Sequence, residues 1–573
     1  MRTISDYHAA YDSGADLKGT LRQVWERIQE DPDDGIFIYK FSWEEIVAQI
    51  PKDLNLALCG IPYVVKDNID YAGVPTTAAC PDFSYVPEED ATVIAHLKKA
   101  GAVCFGKTNL DQFATGLVGV RTPYPVPKNP FDEEYLPGGS SCGSAVAVAK
   151  ELVVFSLGTD TAGSGRVPAA FNELVGLKPT RGYLSTRGVV DACKSLDCVS
   201  IFTSEPFDAA AVLEVTAEKD AQEAWSREVA RPWARLPTKF VFGVPRAEDL
   251  HFFGWYEAHE LFEEASRKFE LLGGTREIVS LEPFMKAARL LYEGPWVTER
   301  YVAIEKLLTQ SPESLLPVTR EIIEAGKLPG ASELFKAQYD LADCKRLADQ
   351  TMERLDFVML PTVPRNYKVS EVALEPIKLN SILGTYTNFM NLLDYAALAL
   401  PAGRYKERLP WGVTIFSQAG SDQALLEVGA AYMERESADV EFDEIQVVVC
   451  GAHLEGMPLN WQLTERGGEL ARAGSTAPLY KMYLIPAGGG LPERPALVHV
   501  GADEGAALEV EVWNLSAEAF GDFVSQIPAP LGIGKVVLED GSELPGFIAE
   551  SRATTGAREL TEFGGWRGYT ASC

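Results

Sequence analysis

The stretch GTDTAGSGRVPA, residues 158–169, places a serine between two glycines directly after the apolar run LVVFSLG at 152–158. The apolar run predicts a buried strand, and the glycines predict a tight turn after it. Between two residues without side chains, the hydroxyl of Ser164 is uncrowded. Ser164 is therefore a candidate nucleophile. The backbone amides before it could converge on an oxyanion; they belong to Thr161, Ala162 and Gly163.

Two further stretches supply the groups that a serine nucleophile needs. GIPYVVKDNID, residues 60–70, predicts a strand that ends at Lys66, and PGGSSCGSAVAVA, residues 137–149, predicts a turn that opens a small-residue helix. A buried lysine whose pKa falls close to 7 can act as a base, and a serine can relay a proton to it. Each stretch alone is also typical of an ordinary turn or a solvated lysine. Together they predict a site that needs no histidine, in a chain with only six.

A different chemistry is suggested by GAVCFGKT, residues 101–108, which fits the letter pattern of a phosphate-binding loop. In that loop the two glycines must bracket a polar turn that follows a strand. Here a helix is predicted upstream, capped by Asp90 and ended by Gly101, and the residues between the glycines predict an apolar strand. The sequence therefore does not predict a nucleotide site.

A second alternative is Ser141, because residues 139–143 fit the G-x-S-x-G nucleophile elbow of α/β-hydrolases. That elbow requires an entering strand and a later histidine. The entering segment here is polar and contains proline, and His251 and His259 lie in a predicted helical stretch. Cys142 has no base partner. Ser141 and Cys142 are therefore weaker candidates for the nucleophile than Ser164.

Composition and net charge limit the partners and the cellular location that the sequence predicts. The 573 residues are 46% apolar and 23% charged, and the net charge is −30 without any run of Lys or Arg. This disfavours nucleic acid and membranes as partners. The nine cysteines occur singly, so neither a disulfide framework nor a metal site is predicted, and the simplest location is a reducing cytoplasm. The N-terminus lacks the apolar core of a signal peptide, and no stretch is long enough to span a membrane.

Strands alternate with helical segments between residues 55 and 430, which predicts an α/β fold with a mixed β-sheet core surrounded by helices. Residues 245–350 are rich in helix formers and predict a helical insert. An acidic stretch without periodicity predicts a linker at 438–445, so we expect one domain at 1–437 and another at 446–573. The second is a smaller α+β domain, since several strand-like runs follow the linker.

These blocks resemble the hallmark blocks of the amidase signature family: VVKDNID, GGSSCGSA and GTDTAGSGRVPA, with GAVCFGKTNLDQFA between them and VGLKPTRGYLSTRGVV after them. The resemblance covers most of residues 20–430. It implies the amidase signature fold and a Ser–cis-Ser–Lys triad. In that triad Ser164 is the nucleophile, Ser140 is the bridging serine on a cis peptide and Lys66 is the base. Cys142 departs from the pattern, because serine or glycine is more usual there.

Four segments resemble the allophanate hydrolases within that family. Two segments are similar to their amidase domain: LLYEGPWVTERYVAIE (290–305) and TYTNFMNLLDYAALALPAG (385–403). Two others are similar to their C-terminal domain: VVVCGAHLEGMPLN (447–460) and EFGGWRGYTA (562–571). The resemblance implies a γ-glutamyl cyclotransferase-like fold for the second domain, a homodimer and no cofactor. Asp160 and Arg166, on either side of the nucleophile, are interpreted as a structural ion pair.

The implied reaction is hydrolysis of allophanate, a urea whose nitrogen carries a carboxylate, to ammonia and N-carboxycarbamate, which ends as ammonia and carbon dioxide. In a chain of net charge −30 the carboxylate needs a fixed cation, and Arg300 can supply it by forked donation. Tyr292 precedes it by about two helical turns, so both side chains could point the same way. Urea carboxylase is the expected functional partner, on a separate chain, because no biotinylation motif occurs in these residues.

Two alternatives stay open. The chain could act on another small amide or serve as an amidotransferase subunit, and the complete triad disfavours an inactive scaffold. In the second domain, His453 follows a predicted strand and precedes a Gly-Met-Pro turn, so we expect it at a loop mouth, where a histidine can shuttle protons at neutral pH. The resemblance implies that this domain acts on N-carboxycarbamate. The alternative is that it only stabilises or dimerises the amidase.

Overall fold

The computed structural model describes residues 1–229, 239–255, 257–433, 444–466, 468–487 and 492–572. It divides into two compact units, one formed by the described residues up to 433 and the other by those from 444 onward. Each unit has its own sheets and its own hydrophobic core.

The strands of the first unit, within its described residues, are β1 (Phe37–Lys40), β2 (Pro62–Lys66), β3 (Val103–Thr108), β4 (Phe155–Asp160), β5 (Val175–Lys178), β6 (Cys198–Thr203), β7 (Phe240–Pro245), β8 (Gly274–Val279), β9 (Phe357–Pro361), β10 (Tyr395–Tyr405) and β11 (Leu409–Gln418). Its helices are α1 (Ile4–Asp12), α2 (Leu17–Glu30), α3 (Trp43–Gln49), α4 (Thr92–Lys99), α5 (Cys142–Ala149), α6 (Val167–Phe171), α7 (Pro206–Thr216), α8 (Glu257–Leu271), α9 (Glu282–Tyr292), α10 (Val297–Gln310), α11 (Pro317–Glu324), α12 (Ala331–Met352), α13 (Val369–Leu374), α14 (Lys378–Leu383), α15 (Phe389–Leu392) and α16 (Asp422–Tyr432).

All these strands form one mixed sheet in the order β1-β3-β2-β4-β6-β5-β10-β11-β9-β7-β8. Strands β3, β2 and β4 are mutually parallel, as are β9, β7 and β8, and the remaining pairs are antiparallel. The mixed sheet surrounded by helices confirms the predicted fold class. Among the described residues, no helix combines the length and apolar character that crossing a bilayer requires.

The parallel pairing of β2 and β4 positions the candidate site. Tyr63 pairs with Phe155 and Val65 with Leu157, so both strands end at the same edge of the sheet. Every residue of both strands is buried, because helices cover the two faces of a parallel sheet. The groups that follow these strands therefore emerge together, at the edge where α/β sheets usually bind ligands.

Two sequence predictions about local structure are wrong. Asp90 does not cap the helix before Gly101: α4 follows Ala91, and the Asp90 carboxylate accepts two hydrogen bonds from Lys98 Nζ at 2.7 and 2.8 Å. Gly101 does follow the helix end, with a φ of +88°, and a strand comes next, so residues 101–108 are no phosphate loop. The predicted helical insert at 245–350 also contains strand β8, which pairs with β7 at the sheet edge. Only Val279 of this strand is buried, so the sequence lacks the apolar run that predicts a strand.

The second unit comprises, within its described residues, the strands β12 (Glu444–Val449), β13 (Glu469–Ser475), β14 (Tyr480–Ile485), β15 (Arg494–His499), β16 (Glu509–Ser516), β17 (Leu531–Val537) and β18 (Glu543–Ala549) and the helices α17 (Trp461–Thr464), α18 (Ala517–Ser525) and α19 (Trp566–Ser572). Five strands form a sheet in the order β13-β16-β12-β18-β17, and β14 pairs with β15. Residues 438–443 of the predicted linker lie outside the described residues, and its last two residues, 444 and 445, already belong to β12.

Candidate active site

Lys66 is the last residue of β2 and is completely buried. Its Nζ donates to Ser140 Oγ at 2.7 Å and to Thr159 Oγ1 at 2.8 Å. Thr159 belongs to β4, the parallel neighbour of β2, and also accepts a hydrogen bond from the Asn68 side chain at 3.2 Å. The structure therefore brings the predicted base and the predicted bridging serine into direct contact.

The environment of Lys66 favours a neutral amine. Burial is the largest influence and lowers the pKa of Lys66 to about 7, against the opposing effects of nearby Cys142 and of three carboxylates, those of Asp111, Asp160 and Asp197. Without burial the same carboxylates would hold the proton on the lysine. A large share of Lys66 is thus unprotonated near neutral pH, which a base requires.

Ser140 follows a cis peptide bond to Gly139, the geometry that the family resemblance implies. The next residue, Ser141, is buried, and its hydroxyl donates to the Thr159 carbonyl oxygen at 3.2 Å while accepting from the Thr159 amide at 3.3 Å. No described strand enters this turn from residues 131–138, so the elbow alternative lacks its defining element. Burial raises the pKa of the Cys142 thiol well above its usual range, which disfavours a thiolate nucleophile.

Ser164 lies in the turn between β4 and α6 and is 3% exposed. Its hydroxyl donates to the Gly116 carbonyl oxygen at 3.5 Å. A hydrogen bond of that length is weak, so the hydroxyl is free to turn toward another acceptor at little cost. Gly163, immediately before it, has a φ of +131°, a backbone conformation that side chains strongly disfavour.

A buried ion pair holds this turn. Arg166 Nε and Nη2 donate to the two carboxylate oxygens of Asp160, both at 2.9 Å, and the amides of Gly163 and Gly165 donate to the same oxygens at 2.8 and 3.0 Å. Both charged side chains are fully buried. The predicted ion pair is therefore present, and its carboxylate holds the amides on either side of Ser164.

Removing the arginine of this ion pair should lower the stability of the fold substantially. In Arg166→Met the Asp160 carboxylate stays buried without its cation, so we expect the free energy of unfolding to fall by about 3–5 kcal/mol. The matched control is Arg404→Met, which breaks a forked surface ion pair with Glu173 (2.9 and 2.6 Å) and should cost no more than about 1 kcal/mol. Denaturant unfolding of both variants measures the difference, and equal losses would contradict the structural role.

The three predicted oxyanion amides are placed differently from one another. The Gly163 amide points at Asp160, so it could serve an oxyanion only if that bond broke. The peptides of Thr161 and Ala162 are held by neighbouring groups: the Thr161 hydroxyl donates to Asp197 at 2.5 Å, and Thr387 Oγ1 donates to the Ala162 carbonyl at 2.7 Å. Thr161 and Ala162 remain the candidates whose amides a substrate could engage.

Tyr292 and Arg300 meet, although they do not share a helix. Tyr292 ends α9 and Arg300 lies in α10, and Arg300 Nη2 donates to the Tyr292 hydroxyl at 3.3 Å. The two side chains do point the same way, as predicted. They are brought together by the short break between α9 and α10, and not by two turns of one helix as the spacing suggested.

The Arg300 guanidinium is buried, and within the described residues its hydrogen bonds go to uncharged groups. It is 3% exposed, and its other partners are the Ala114 carbonyl oxygen at 3.3 Å and Thr115 Oγ1 at 3.1 Å. No carboxylate of the described residues forms an ion pair with it. Burial opposes its charge, yet Tyr292, Cys193 and Asp197 together raise the pKa of Arg300. A buried cation is normally paired, so this one is suited to an anionic ligand.

Sequence reasoning missed the loop that connects these groups, residues 111–121. The fully buried Asp111 carboxylate closes the loop, and the Asp111 amide donates to the Ser140 carbonyl oxygen at 3.0 Å. The carboxylate accepts from the backbone amides of Val118 at 3.2 Å, Gly119 at 3.0 Å and Arg121 at 2.8 Å. The only sequence signal was the match of TNLDQFA to the family pattern, which carries no role for an individual residue.

Two adjacent residues of this loop link the nucleophile to the cation. Gly116 accepts the hydrogen bond from Ser164, and Thr115 accepts one from Arg300. Arg300 and Ser164 therefore contact neighbouring residues of the same loop.

In the second unit His453 is half-buried, with its ring stacked on Phe547 (centroids 5.0 Å apart) and edge-on to Phe523 (5.2 Å). Its Nε2 lies 2.9 Å from Gln462 Oε1. Burial is the main cause that lowers the pKa of His453, although Gln462 opposes it. A neutral imidazole is therefore the dominant form at pH 7.

Comparison with known proteins assigns both units. The family described as Amidase matches residues 21–426, and the family described as Allophanate hydrolase C-terminal domain matches residues 445–571. The first match covers more than half of the chain, and the second begins within β12.

Individual relatives agree with these matches. The urea amidolyases of Lachancea kluyveri and Saccharomyces cerevisiae are 41% and 39% identical over 92% and 98% of this chain. The chain spans only 30% and 32% of their lengths. The solved structure of Kluyveromyces lactis allophanate hydrolase is 38% identical, with a TM-score of 0.82 over 100% of this chain and 99% of that one.

Proposed function

Because this chain belongs to the amidase family, we propose that it hydrolyses allophanate to ammonia and N-carboxycarbamate in urea degradation. The observation that carries the proposal is the buried guanidinium of Arg300, which contacts the same loop as Ser164 and forms no ion pair with a carboxylate of the described residues. A neutral amide would leave this cation unpaired, whereas allophanate presents a carboxylate one atom away from the carbonyl that is attacked. The similarity to an allophanate hydrolase over its full length supports the same substrate.

The test of this proposal is the release of ammonia by the purified chain from allophanate and from neutral amides of similar size. We expect kcat/KM for allophanate to exceed that for acetamide or urea by several orders of magnitude, because only allophanate pairs with Arg300. Comparable values would favour a general amidase with a purely structural second domain.

The reaction begins with proton transfer to Lys66. With its pKa lowered to about 7, the neutral amine can accept a proton from Ser140 across the 2.7 Å contact, and Ser140 in turn takes the proton of Ser164. Ser164 Oγ then bonds to the carbonyl carbon, and the carbonyl electrons move onto oxygen. The amides of Thr161 and Ala162 are the proposed donors to that oxyanion.

The intermediate collapses by breaking the bond between the carbonyl carbon and the terminal nitrogen. The proton held by Lys66 returns through Ser140 to this nitrogen, which leaves as ammonia. A water molecule then attacks the acyl-enzyme, with the same two groups accepting its proton. The bond to Ser164 Oγ breaks as that proton returns from Lys66 through Ser140 to Ser164 Oγ, which leaves Lys66 neutral again. The product is N-carboxycarbamate, which carries two carboxylates and breaks down to ammonia and carbon dioxide.

Recognition of the substrate carboxylate is assigned to Arg300, with Tyr292 orienting it. In Arg300→Lys the charge stays but the forked donor is lost, so we expect kcat/KM for allophanate to fall about 10- to 100-fold, the equivalent of about 1.5–3 kcal/mol for a charge-assisted hydrogen bond. The rate with neutral amides should change little. Steady-state kinetics with both substrates measure the difference.

The control for this substitution is Arg289→Lys, an exposed arginine of α9 near Tyr292, which should leave both rates unchanged. A Michaelis constant for allophanate that is the same in Arg300→Lys as in the unmodified chain would place carboxylate recognition elsewhere.

The remaining parts of the proposal concern partners and location. The relatives named urea amidolyase are about three times as long as this chain, and their name supports urea carboxylase as the source of the substrate. The homodimer and the cytoplasmic location stay predictions. Light scattering of the purified chain checks the first, and fractionation of cells that express it checks the second.

A further inference from the structure

Asp111 is brought to the triad by the parallel pairing of β3 with β2. The register of these strands pairs Lys66 with Thr108, the last residue of each strand, so the chain that follows β3 leaves the sheet at the same edge as the base. Asp111 is the third residue after β3 and is completely buried. Its charge is one of those that act on Lys66, and a carboxylate near a lysine favours the protonated form of that lysine.

The Asp111 carboxylate also packs against two glycines of the active site. A Cβ at Gly139 would lie 2.2 Å from Asp111 Oδ2, and a Cβ at Gly116 would lie 2.5 Å from the same oxygen. Such a close approach is possible only where the backbone carries no side chain. Gly139 precedes Ser140, and Gly116 accepts the hydrogen bond from Ser164. The carboxylate therefore contacts the backbone beside the bridging serine and the backbone beside the nucleophile.

The surroundings of Asp111 stabilise its ionised form. Its oxygens accept from three backbone amides of the loop 111–121, and hydrogen bonds to a carboxylate favour the charge. Burial raises the pKa of Asp111, whereas Arg121, the loop amides and Lys66 oppose that effect. The charged and titratable groups that face the carboxylate from the loop, β2 and α5 are Arg121, Lys66 and the thiol of Cys142. Since burial keeps that thiol protonated, Asp111 supplies the negative charge of this group.

We propose that Asp111 is a positioning residue for the triad: its carboxylate holds the loop 111–121 against the backbone of Ser140, and its charge stabilises the ammonium form of Lys66. The proposal rests on the proposed function, in which Lys66 receives the proton of Ser164. Burial makes a protonated lysine costly, and a fixed carboxylate offsets that cost when the proton arrives. Asp111 acts through Ser140 and Lys66, and not on the substrate itself.

The test is Asp111→Asn in the full chain, with kcat/KM measured across pH. The amide keeps the size of the side chain but loses the charge, and its NH2 group would face backbone amides that also donate. Activity should fall at low pH as Lys66 becomes protonated. Because the ammonium form is less stabilised in the variant, the midpoint of this fall should move to lower pH by about 0.5–1 pH unit. The plateau above it should drop about 10- to 100-fold, since displacement of the serines disturbs the attack.

The matched control is Asp422→Asn. Asp422 is also a buried carboxylate, and it accepts from the amide and the hydroxyl of Thr180 at 2.7 and 2.6 Å. Its replacement should lower the stability of the fold and leave the midpoint of the pH profile unchanged. If Asp111→Asn and Asp422→Asn had the same midpoint, Asp111 would only support the fold and the proposal would be overturned. An unchanged plateau in Asp111→Asn would overturn it as well.

Gly116→Ala decides the question if Asp111→Asn does not fold. Residue 116 does not have a positive φ, and the atoms nearest to an added Cβ belong to the side chains of Asp111 and Arg121. Alanine therefore displaces the carboxylate without changing any charge, and we expect kcat to fall at least about tenfold. Unmodified kcat in a folded Gly116→Ala chain would overturn the proposal. Both profiles can be recorded with any amide that the unmodified chain hydrolyses, whereas the proposed function fails by a separate observation, the absence of ammonia release from allophanate by that chain.

Discussion

Replacing Ser164 by alanine is expected to lower kcat for ammonia release from allophanate by about 10⁴- to 10⁶-fold, the loss seen when a serine nucleophile is removed from a hydrolase. The reason is that the two other serine hydroxyls of the predicted site already have partners. Ser140 is occupied by Lys66, and Ser141 is bonded to the Thr159 backbone. The fold should persist, since Ser164 contributes only one weak hydrogen bond. A single-turnover assay with a quench measures both the loss and the absence of an acyl-enzyme.

Ser141→Ala is the matched control for that variant. It removes a buried hydrogen bond to the Thr159 carbonyl, which is worth about 1 kcal/mol, and we expect kcat to fall no more than about tenfold. The comparison separates a serine that attacks the substrate from one that supports the neighbouring backbone. If Ser141→Ala abolished turnover and Ser164→Ala retained it, the nucleophile would be Ser141 and the elbow alternative would return.

The candidate base and bridging serine could be predicted from the sequence because each follows a locally recognisable element. Lys66 ends an apolar run and Ser140 stands in a glycine-rich turn, and the two are in contact. The parallel pairing of β2 with β4 brings Lys66 to the same sheet edge as the turn that holds Ser164. The loop closed by Asp111 could not be predicted in the same way. Its contacts reach Ser140 and Arg300, far away in sequence, and such contacts depend on the packing of the whole unit.

The burial of a side chain is another property that could not be predicted from the sequence. Arg300 was singled out only by its family resemblance, because it does not stand in a distinctive pattern. It becomes informative once the structure shows it buried and without an ion pair to any carboxylate of the described residues. The oxyanion prediction illustrates the same limit: three consecutive amides look equivalent in sequence, yet Asp160 occupies one of them.

Lys66 should give the enzyme an acid limb in its pH profile. Since the base must be neutral, kcat/KM for allophanate should rise about tenfold per pH unit below pH 7 and level off above it; the pKa of about 7 comes from burial. In Lys66→Arg the side chain stays charged at every accessible pH, so we expect activity near that of Ser164→Ala. Substantial turnover by Lys66→Arg would rule out the base.

Asp197 titrates at a pH close enough to that of Lys66 to contribute to the same acid limb of the pH profile. Burial raises the pKa of Asp197 to about 6, and Asp197 holds the Thr161 hydroxyl, so its protonation could also disturb the site. The two can be separated by temperature, because loss of a proton from an ammonium group absorbs much more heat than loss from a carboxylic acid. If Lys66 sets the limb, its midpoint should move to lower pH on warming and should persist in Asp197→Asn. A midpoint that is insensitive to temperature and disappears in Asp197→Asn would assign the limb to the carboxylate and leave the protonation of Lys66 without kinetic support.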